Sequence, residues 1–457
     1  QRERDRPPLT WERMPQTMAI VSDFGFRAQD LTQGGVGDCW FMSALAVVAD
    51  RHDLIARLFA STERNAGAGD VHLLRLFLDG AWRSVHVSDE LPCSPAPRRA
   101  QLAGPHRLAF CRCADGATGA PQLWASLIEK AYAKAHGSFN AISGGMVAEA
   151  LLDLTGYPTE VIEFSAASFD SELLWARLKA YRQLELPMGC GTESAVGSEE
   201  LREVGLVGHH AYSLIDVREA RRRDGERVRL LRIRNPHGVG EWNGAWSDAS
   251  AEWADLVGGG AGGGGGSQGS FERSGVDDGT FWMDFTRFLM GFAHVDVCFA
   301  FRGWRCRSLP NAFPADKKSG QRLCAVHTVR CAGGVPATLM VMALQPTKRG
   351  AWCRADRKKS YKLGDLSLLI ARLNEAGDAV EAIVGGGFRG ADRGERAACV
   401  RLEPGRTYAL LPLCMSAAPT AAEQTRAAPF TLRLGASERV LVSAAAPTAR
   451  AALGALA

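Results

Sequence analysis

The sequence predicts an α+β chain followed by an all-β region, and three observations carry that expectation. Helix-like periodicity is concentrated between residues 31 and 155, and strand-like runs dominate from 157 to 300. After residue 302, short strand-like segments alternate with Gly, Pro and Asp turns. A chain of 457 residues exceeds what one hydrophobic core organises, so two or three domains are expected. The expected divisions are an N-terminal arm over 1–30, a helical lobe over 31–156, a β-rich lobe over 157–302 and an all-β sandwich over 303–457.

Residues 1–30 carry prolines and arginines and read as an extended arm. A glycine-rich turn, Gln33-Gly34-Gly35-Val36-Gly37, then runs into the apolar, helix-like stretch that follows Cys39. Trp82 to Val87 reads as a strand. In 122–136, Trp124, Leu127, Ile128, Ala131 and Tyr132 recur at helical spacing. Strand-like runs cover 211–217 and 227–234, with the Arg-rich 218–223 and Asp224-Gly225 forming the turn between them. The Gly/Ser tract 258–269 cannot bury surface and reads as a loop inserted in the β-rich lobe. Six segments, 323–330, 338–344, 367–373, 397–402, 407–413 and 430–434, supply strands of a sandwich. The Ala-rich 444–457 reads as a frayed tail.

Bulk properties exclude some functions. Net charge is only +4 and is dispersed, so nucleic-acid binding has no support. There is no run of eighteen apolar residues and no signal peptide. Twelve scattered cysteines are too few for a disulfide scaffold and fit a reducing, cytoplasmic setting. Cys111-Arg112-Cys113 lacks a second pair at zinc-site spacing and reads as structural. The first residue is Gln rather than Met, so a piece of a longer protein is expected.

The chemistry concentrates at Gly37-Asp38-Cys39-Trp40. A thiol at a helix N-terminus meets unpaired backbone N–H groups and the positive end of the macrodipole, which favour the thiolate. Cys39 is therefore a candidate nucleophile with a lowered pKa, and the amide of Gln33, six residues earlier, is a candidate oxyanion donor. His209-His210-Ala211-Tyr212-Ser213 opens a strand-like run, and Arg232-Ile233-Arg234-Asn235-Pro236 closes another. Cys, His and Asn in that chain order match a papain-like triad, in which the histidine takes the thiol proton and the asparagine orients the imidazole.

Further segments complete a resemblance. They are Asp89-Glu90-Leu91-Pro92, Leu123 through Lys134, Gly137-Ser138, Ser143-Gly144-Gly145 and Asp277 through Met283. Together with the three motifs above, the chain resembles the calpain cysteine protease core over positions 9–300, and more weakly a calpain-type β-sandwich (C2-like) after it. The resemblance implies a papain-like two-lobe fold. It also implies a calcium-regulated intracellular endopeptidase that makes limited cuts in protein substrates through a thioester on Cys39. His210 would be the general base and acid, Asn235 the orienter, and Gln33 a partner of the Cys39 amide in the oxyanion hole. His209 stands where the family usually has Gly and is expected at the rim. His237 replaces a Trp that normally shields the site.

The same resemblance implies two calcium sites. Calcium takes several oxygen ligands. The first set would be Asp30, the backbone of Asp23 and Gly25, and Gln122 where a second carboxylate is usual. The second would be Glu241, Asp248 and Asp278, with Thr280 in place of a further Glu and the Val276 carbonyl. Calcium binding is expected to be retained but weakened. The sandwich would contact phospholipid or a partner, or only pack. The rival expectation is a catalytically weak or silent homologue acting as a calcium-responsive interaction module. A transglutaminase-like acyl transferase is disfavoured, because Asn235 stands where such enzymes carry Asp.

Overall fold

A computed structural model describes residues 8–63, 70–95, 107–192, 198–257, 271–313, 326–346, 349, 366–387, 395–414 and 428–445. The Gly/Ser tract 258–269 and residues 446–457 of the expected tail lie outside the described residues. The chain forms two compact units. The first comprises Gln1–Leu76, Ser84–Thr155 and Glu160–Cys298, and the second Phe77–Arg83, Gly156–Thr159 and Phe299–Ala457.

In the first unit, helix α1 (Cys39–Ala49) is followed by the short α2 (His52–Ile55). Every residue of α1 after Cys39 is buried. A helix that is apolar all round belongs in a core, and α1 is the axis of this one. Helix α3 (Trp124–His136) matches the expected periodicity and ends on Gly137 at φ 101°, a left-handed C-cap. Helix α4 (Val147–Thr155) follows. Around these helices the expectation of a mainly helical 31–156 needs correction. Thr10–Arg13 pairs with Glu90–Cys93, so the expected arm is partly a strand. Leu31–Thr32, Arg112–Ala114 and Pro121–Gln122 make a second small sheet, and Phe59–Glu63, Val71–Leu78 and Ala81–Ser88 a third. Several of these strands are only two to five residues long, too short to show a period of two in sequence.

The rest of the unit centres on a six-stranded sheet in the order Thr280–Asp284, Arg227–Arg234, His210–Arg221, Met188–Thr192, His294–Cys298, Thr159–Glu163. The two strands expected from sequence are its antiparallel neighbours, with a register shift between Leu214 and Asp216. The Arg-rich stretch continues the first strand to Arg221, and the turn falls at Asp224-Gly225. Helix α5 (Ser171–Gln183) is capped by the Asp170 carboxylate, which accepts from the amides of Glu172 and Leu173.

The second unit is built of strands. One sheet has four, in the order Arg305–Phe313, Ala428–Ala436, Ala337–Leu344, Glu395–Leu402. The other has five, in the order Val380–Gly387, Leu366–Leu373, Tyr408–Cys414, His327–Cys331, Val440–Ala444. Leu339, Val341 and Leu432 from the first sheet and Leu368, Ile370 and Leu410 from the second belong to one buried cluster, so the sheets share a core. Arg305–Phe313, Val380–Gly387 and Val440–Ala444 are strands that the sequence reading omitted. The last two alternate exposed with half-buried residues along the strand, although both carry β-branched residues such as Ile383 and Val442.

Candidate active site

Cys39 is the first residue of α1, at the mouth of the glycine-rich turn. The turn is held by its contacts. The Gly35 amide donates to Ala109 O (2.8 Å), and a Cβ at Gly34 would stand 2.1 Å from Phe110 O, so only glycine fits there. Trp40 is buried and its indole N–H donates to Ile142 O (3.0 Å). Two reciprocal hydrogen bonds fix α1 against the histidine strand. Ser43 Oγ donates to Ala211 O (3.0 Å), and Ser213 Oγ donates to Ser43 O (2.9 Å).

His210 opens that strand and is buried. Its Nε2 lies 2.9 Å from Asn235 Oδ1. Asn235 is buried, and its own partners settle which end of the amide is oxygen. Nδ2 donates to Val239 O (2.9 Å) and Gly240 O (3.1 Å), while Oδ1 also receives the His237 amide (3.1 Å). With Oδ1 as acceptor, the imidazole carries its proton on Nε2, and Nδ1 is left with a lone pair.

Electrostatics correct one expectation. Burial pushes the Cys39 thiol up, not down; the amides of Ala211 and Trp40 lower it by less, and the Asp38 carboxyl adds to the rise. Burial also lowers His210 to about 4; the Asn235 hydrogen bond raises it in part, and His237 adds to the lowering. Burial thus favours the neutral form of each group. Desolvation outweighs the helix terminus even though Cys39 is only half-buried, whereas His210 is buried.

The asparagine loop is tied to the oxyanion turn. The Gln33 amide N–H donates to Pro236 O (2.8 Å), and the Arg234 guanidinium donates to Leu31 O (2.6 Å) and Gln29 O (3.2 Å). Asn235 N donates to Gly279 O (2.8 Å), and Gly279 sits at φ 80° with Asn235 O 2.9 Å from where a Cβ would be. The Gln33 side chain is buried. Its Nε2 donates to Val36 O (2.8 Å) and its Oε1 meets no donor, so one N–H of the amide is committed to the turn and one is not. His209 is exposed at φ 50°, a left-handed conformation that glycine adopts without cost. His237 lies over His210 with ring centroids 4.5 Å apart at 34°, its outer face in solvent.

The expected metal positions divide. Around the first, Asp30 Oδ1 accepts from Gly116 N (3.2 Å) and Oδ2 accepts from Gln122 Nε2 (3.1 Å). Gln122 Oε1 accepts from Ser22 N (2.9 Å), so turning the amide over would break both bonds. The Gln122 oxygen is thus turned to Ser22 and its N–H, not an oxygen, is presented to Asp30. Asp23 and Gly25 lie in a turn closed by Gly25 N to Ser22 O (3.0 Å). This set does not fit a calcium ion. Around the second, Glu241 Oε1 accepts from the amides of Asp278 and Gly279, Asp278 Oδ1 from Thr280 N, and Asp248 Oδ2 from Ser274 N and Gly275 N. Asp248 Oδ1 is buried without a donor. Burial raises Glu241 to about 7, with Asp248 and Asp278 adding to the rise. An orphaned carboxylate oxygen amid crowded negative charge fits a cation. Among the described residues, however, no three His, Cys, Asp or Glu side chains converge as a ligand set.

Sequence reading missed the Ser43–Ser213 clamp and the buried Glu129 beside Asp38. Two serines 170 positions apart in sequence give no pattern. Glu129 gave a faint signal, an acid in the middle of an otherwise apolar helix face.

Comparison with known proteins adds the lineage. The description "Calpain family cysteine protease" matches residues 1–299. The chain is 35% identical over 275 residues to the calpain-type cysteine protease DEK1 of Arabidopsis thaliana, covering 59% of this chain and 11% of that protein. It is 33% identical over 303 residues to human calpain-9, covering 65% and 40%. It is 34% identical over 297 residues to the human calpain-1 catalytic subunit, covering 64% and 38%. The match therefore spans less than half the length of each of these relatives. A Clostridium thermocellum xylanase structure aligns at a TM-score of 0.14 and 10% identity over 30% of this chain and 26% of that one, and carries no argument. On the match over residues 1–299, the chain belongs to the calpain family of cysteine proteases.

Proposed function

We propose that this chain is an active cysteine endopeptidase that cuts protein substrates through a thioester on Cys39. The observation that carries the reading is the 2.9 Å contact between His210 Nε2 and Asn235 Oδ1, which leaves Nδ1 as the base. The thiol proton passes to Nδ1 as Sγ attacks the scissile carbonyl. The Cys39 amide and the uncommitted Gln33 N–H are the donors available to the oxyanion. The C–N bond then breaks, the amine leaves with the proton from His210, and water hydrolyses the thioester by the reverse transfer.

We further propose calcium control through Glu241, Asp248 and Asp278, without the Asp30–Gln122 position. Bound there, a cation would neutralise the carboxylates beside the strand that ends in Asn235 and Gly279. His237 supports the second reading, a weak or silent homologue, since a small polar ring covers His210 where the family has Trp. An epoxide thiol probe separates the two. Stoichiometric labelling of Cys39 that is lost in His210→Ala supports the enzyme, whereas no labelling with or without calcium favours the silent module.

A further inference from the structure

Asp38 precedes the nucleophile and is the N-cap residue of α1, yet its side chain makes no capping bond. It is fully buried, and neither carboxyl oxygen receives an N–H or hydroxyl hydrogen. Glu129, in the middle of α3, is 1% exposed. The Cys111 amide is shared between its two oxygens (3.2 and 3.1 Å). The carboxyls of Asp38 and Glu129 face each other as hydrogen-bond partners. The charge of the pair acts on the thiols of Cys39, the first residue of α1, and of Cys111, which precedes the strand Arg112–Ala114. Among the described residues no lysine, arginine or histidine is placed against either acid.

Two carboxylates in contact, out of water and without a cation, cannot both carry charge. Both being acceptors, they can bond only through a proton. We propose that Glu129 is a carboxylic acid whose O–H donates to the Asp38 carboxylate, and that Asp38 is thereby a positioning residue that holds the first turn of the nucleophile helix against α3. The surrounding contact is otherwise apolar, with Phe41 stacked on Tyr132 at 4.2 Å. Such packing lets helices slide, whereas a directional bond at the first turn fixes where Cys39 stands. Burial raises both acids, Asp38 to about 7. A second charge there would also push the Cys39 thiol higher. The positional role rests on the proteolytic reading; the shared proton does not.

The test joins spectroscopy with reactivity on the full chain. At neutral pH the infrared difference spectrum of wild type minus Glu129→Gln is expected to contain the C=O stretch of one buried carboxylic acid. The glutamine can accept from Cys111 N and donate to Asp38, so its Cys39 alkylation rate should stay within about threefold of wild type, while Glu129→Ala falls roughly tenfold or more. The folded state holds a proton that the unfolded state releases above the ordinary carboxylate range. Stability should therefore fall as pH rises beyond that range, with a slope smaller by about one proton in Glu129→Gln. Absence of the acid band, or a Glu129→Gln chain as slow as Glu129→Ala, overturns the proposal. The band and the Glu129→Gln slope decide the matter even where Glu129→Ala does not fold. A wild type that shows the band but cleaves nothing keeps the shared proton and removes the protease.

Discussion

Asn235 gathers four hydrogen bonds on one amide, and each has a consequence for His210. The two accepting carbonyls lock the amide orientation, and the locked oxygen selects the imidazole tautomer. The histidine is kept neutral by burial, with a pKa near 4 against an ordinary 6.5. An unfolded chain protonates that histidine first, so stability present above pH 6.5 is lost as pH falls towards 4, on the order of 3 kcal/mol for this group. Chemical denaturation across that range should show a shallower loss in His210→Gln by about one proton. Equal slopes would mean that His210 is not held neutral. At this scale the sequence made the meeting of His210 and Asn235 legible. Cys39, His210 and Asn235 were each marked by their neighbours, because the turn, the strand start and the strand end that place them need particular residues. The rise of the thiol pKa was not legible, because it depends on burial rather than on chain position.

At the scale of elements, the site depends on how α1 sits against the strand His210–Arg221. Ser43 and Ser213 exchange hydrogen bonds with each other's backbone surroundings, and both side chains are fully buried. Ser213→Ala removes from Ser43 O the second donor it has beside its helical bond and should cost about 1 kcal/mol in unfolding free energy. It should also slow Cys39 chemistry, because the helix carries the nucleophile. A variant as stable and as reactive as wild type would show that apolar packing alone sets this contact. The helices and the two strands bearing His210 and Asn235 were readable from periodicity and turn residues. The small sheets were not, since strands such as Leu31–Thr32 and Pro121–Gln122 exist only through pairing with distant residues.

At the scale of the molecule, the proposed calcium dependence turns on which acidic positions remain unsatisfied. The Asp30–Gln122 pair satisfies itself, whereas Asp248 Oδ1 has no partner and Glu241 is held near 7. Millimolar calcium should therefore raise the thermal midpoint of the chain by mass action. Asp248→Asn should remove the shift and Asp30→Asn should leave it. A shift lost in Asp30→Asn instead would relocate the ion. The expected strands after residue 302 are present over the described residues, but which strand pairs with which was beyond reach of sequence pattern. Strand order is set by contacts that span more than a hundred residues, as between Arg305–Phe313 and Ala428–Ala436.

The most direct measurement is hydrolysis of unstructured casein by wild type and Cys39→Ser, each with millimolar calcium and with chelator. The account predicts cleavage by wild type in calcium, little with chelator, and none by Cys39→Ser in either. Cleavage by Cys39→Ser would contradict the assignment of the nucleophile, and no cleavage by wild type in either condition would contradict the protease.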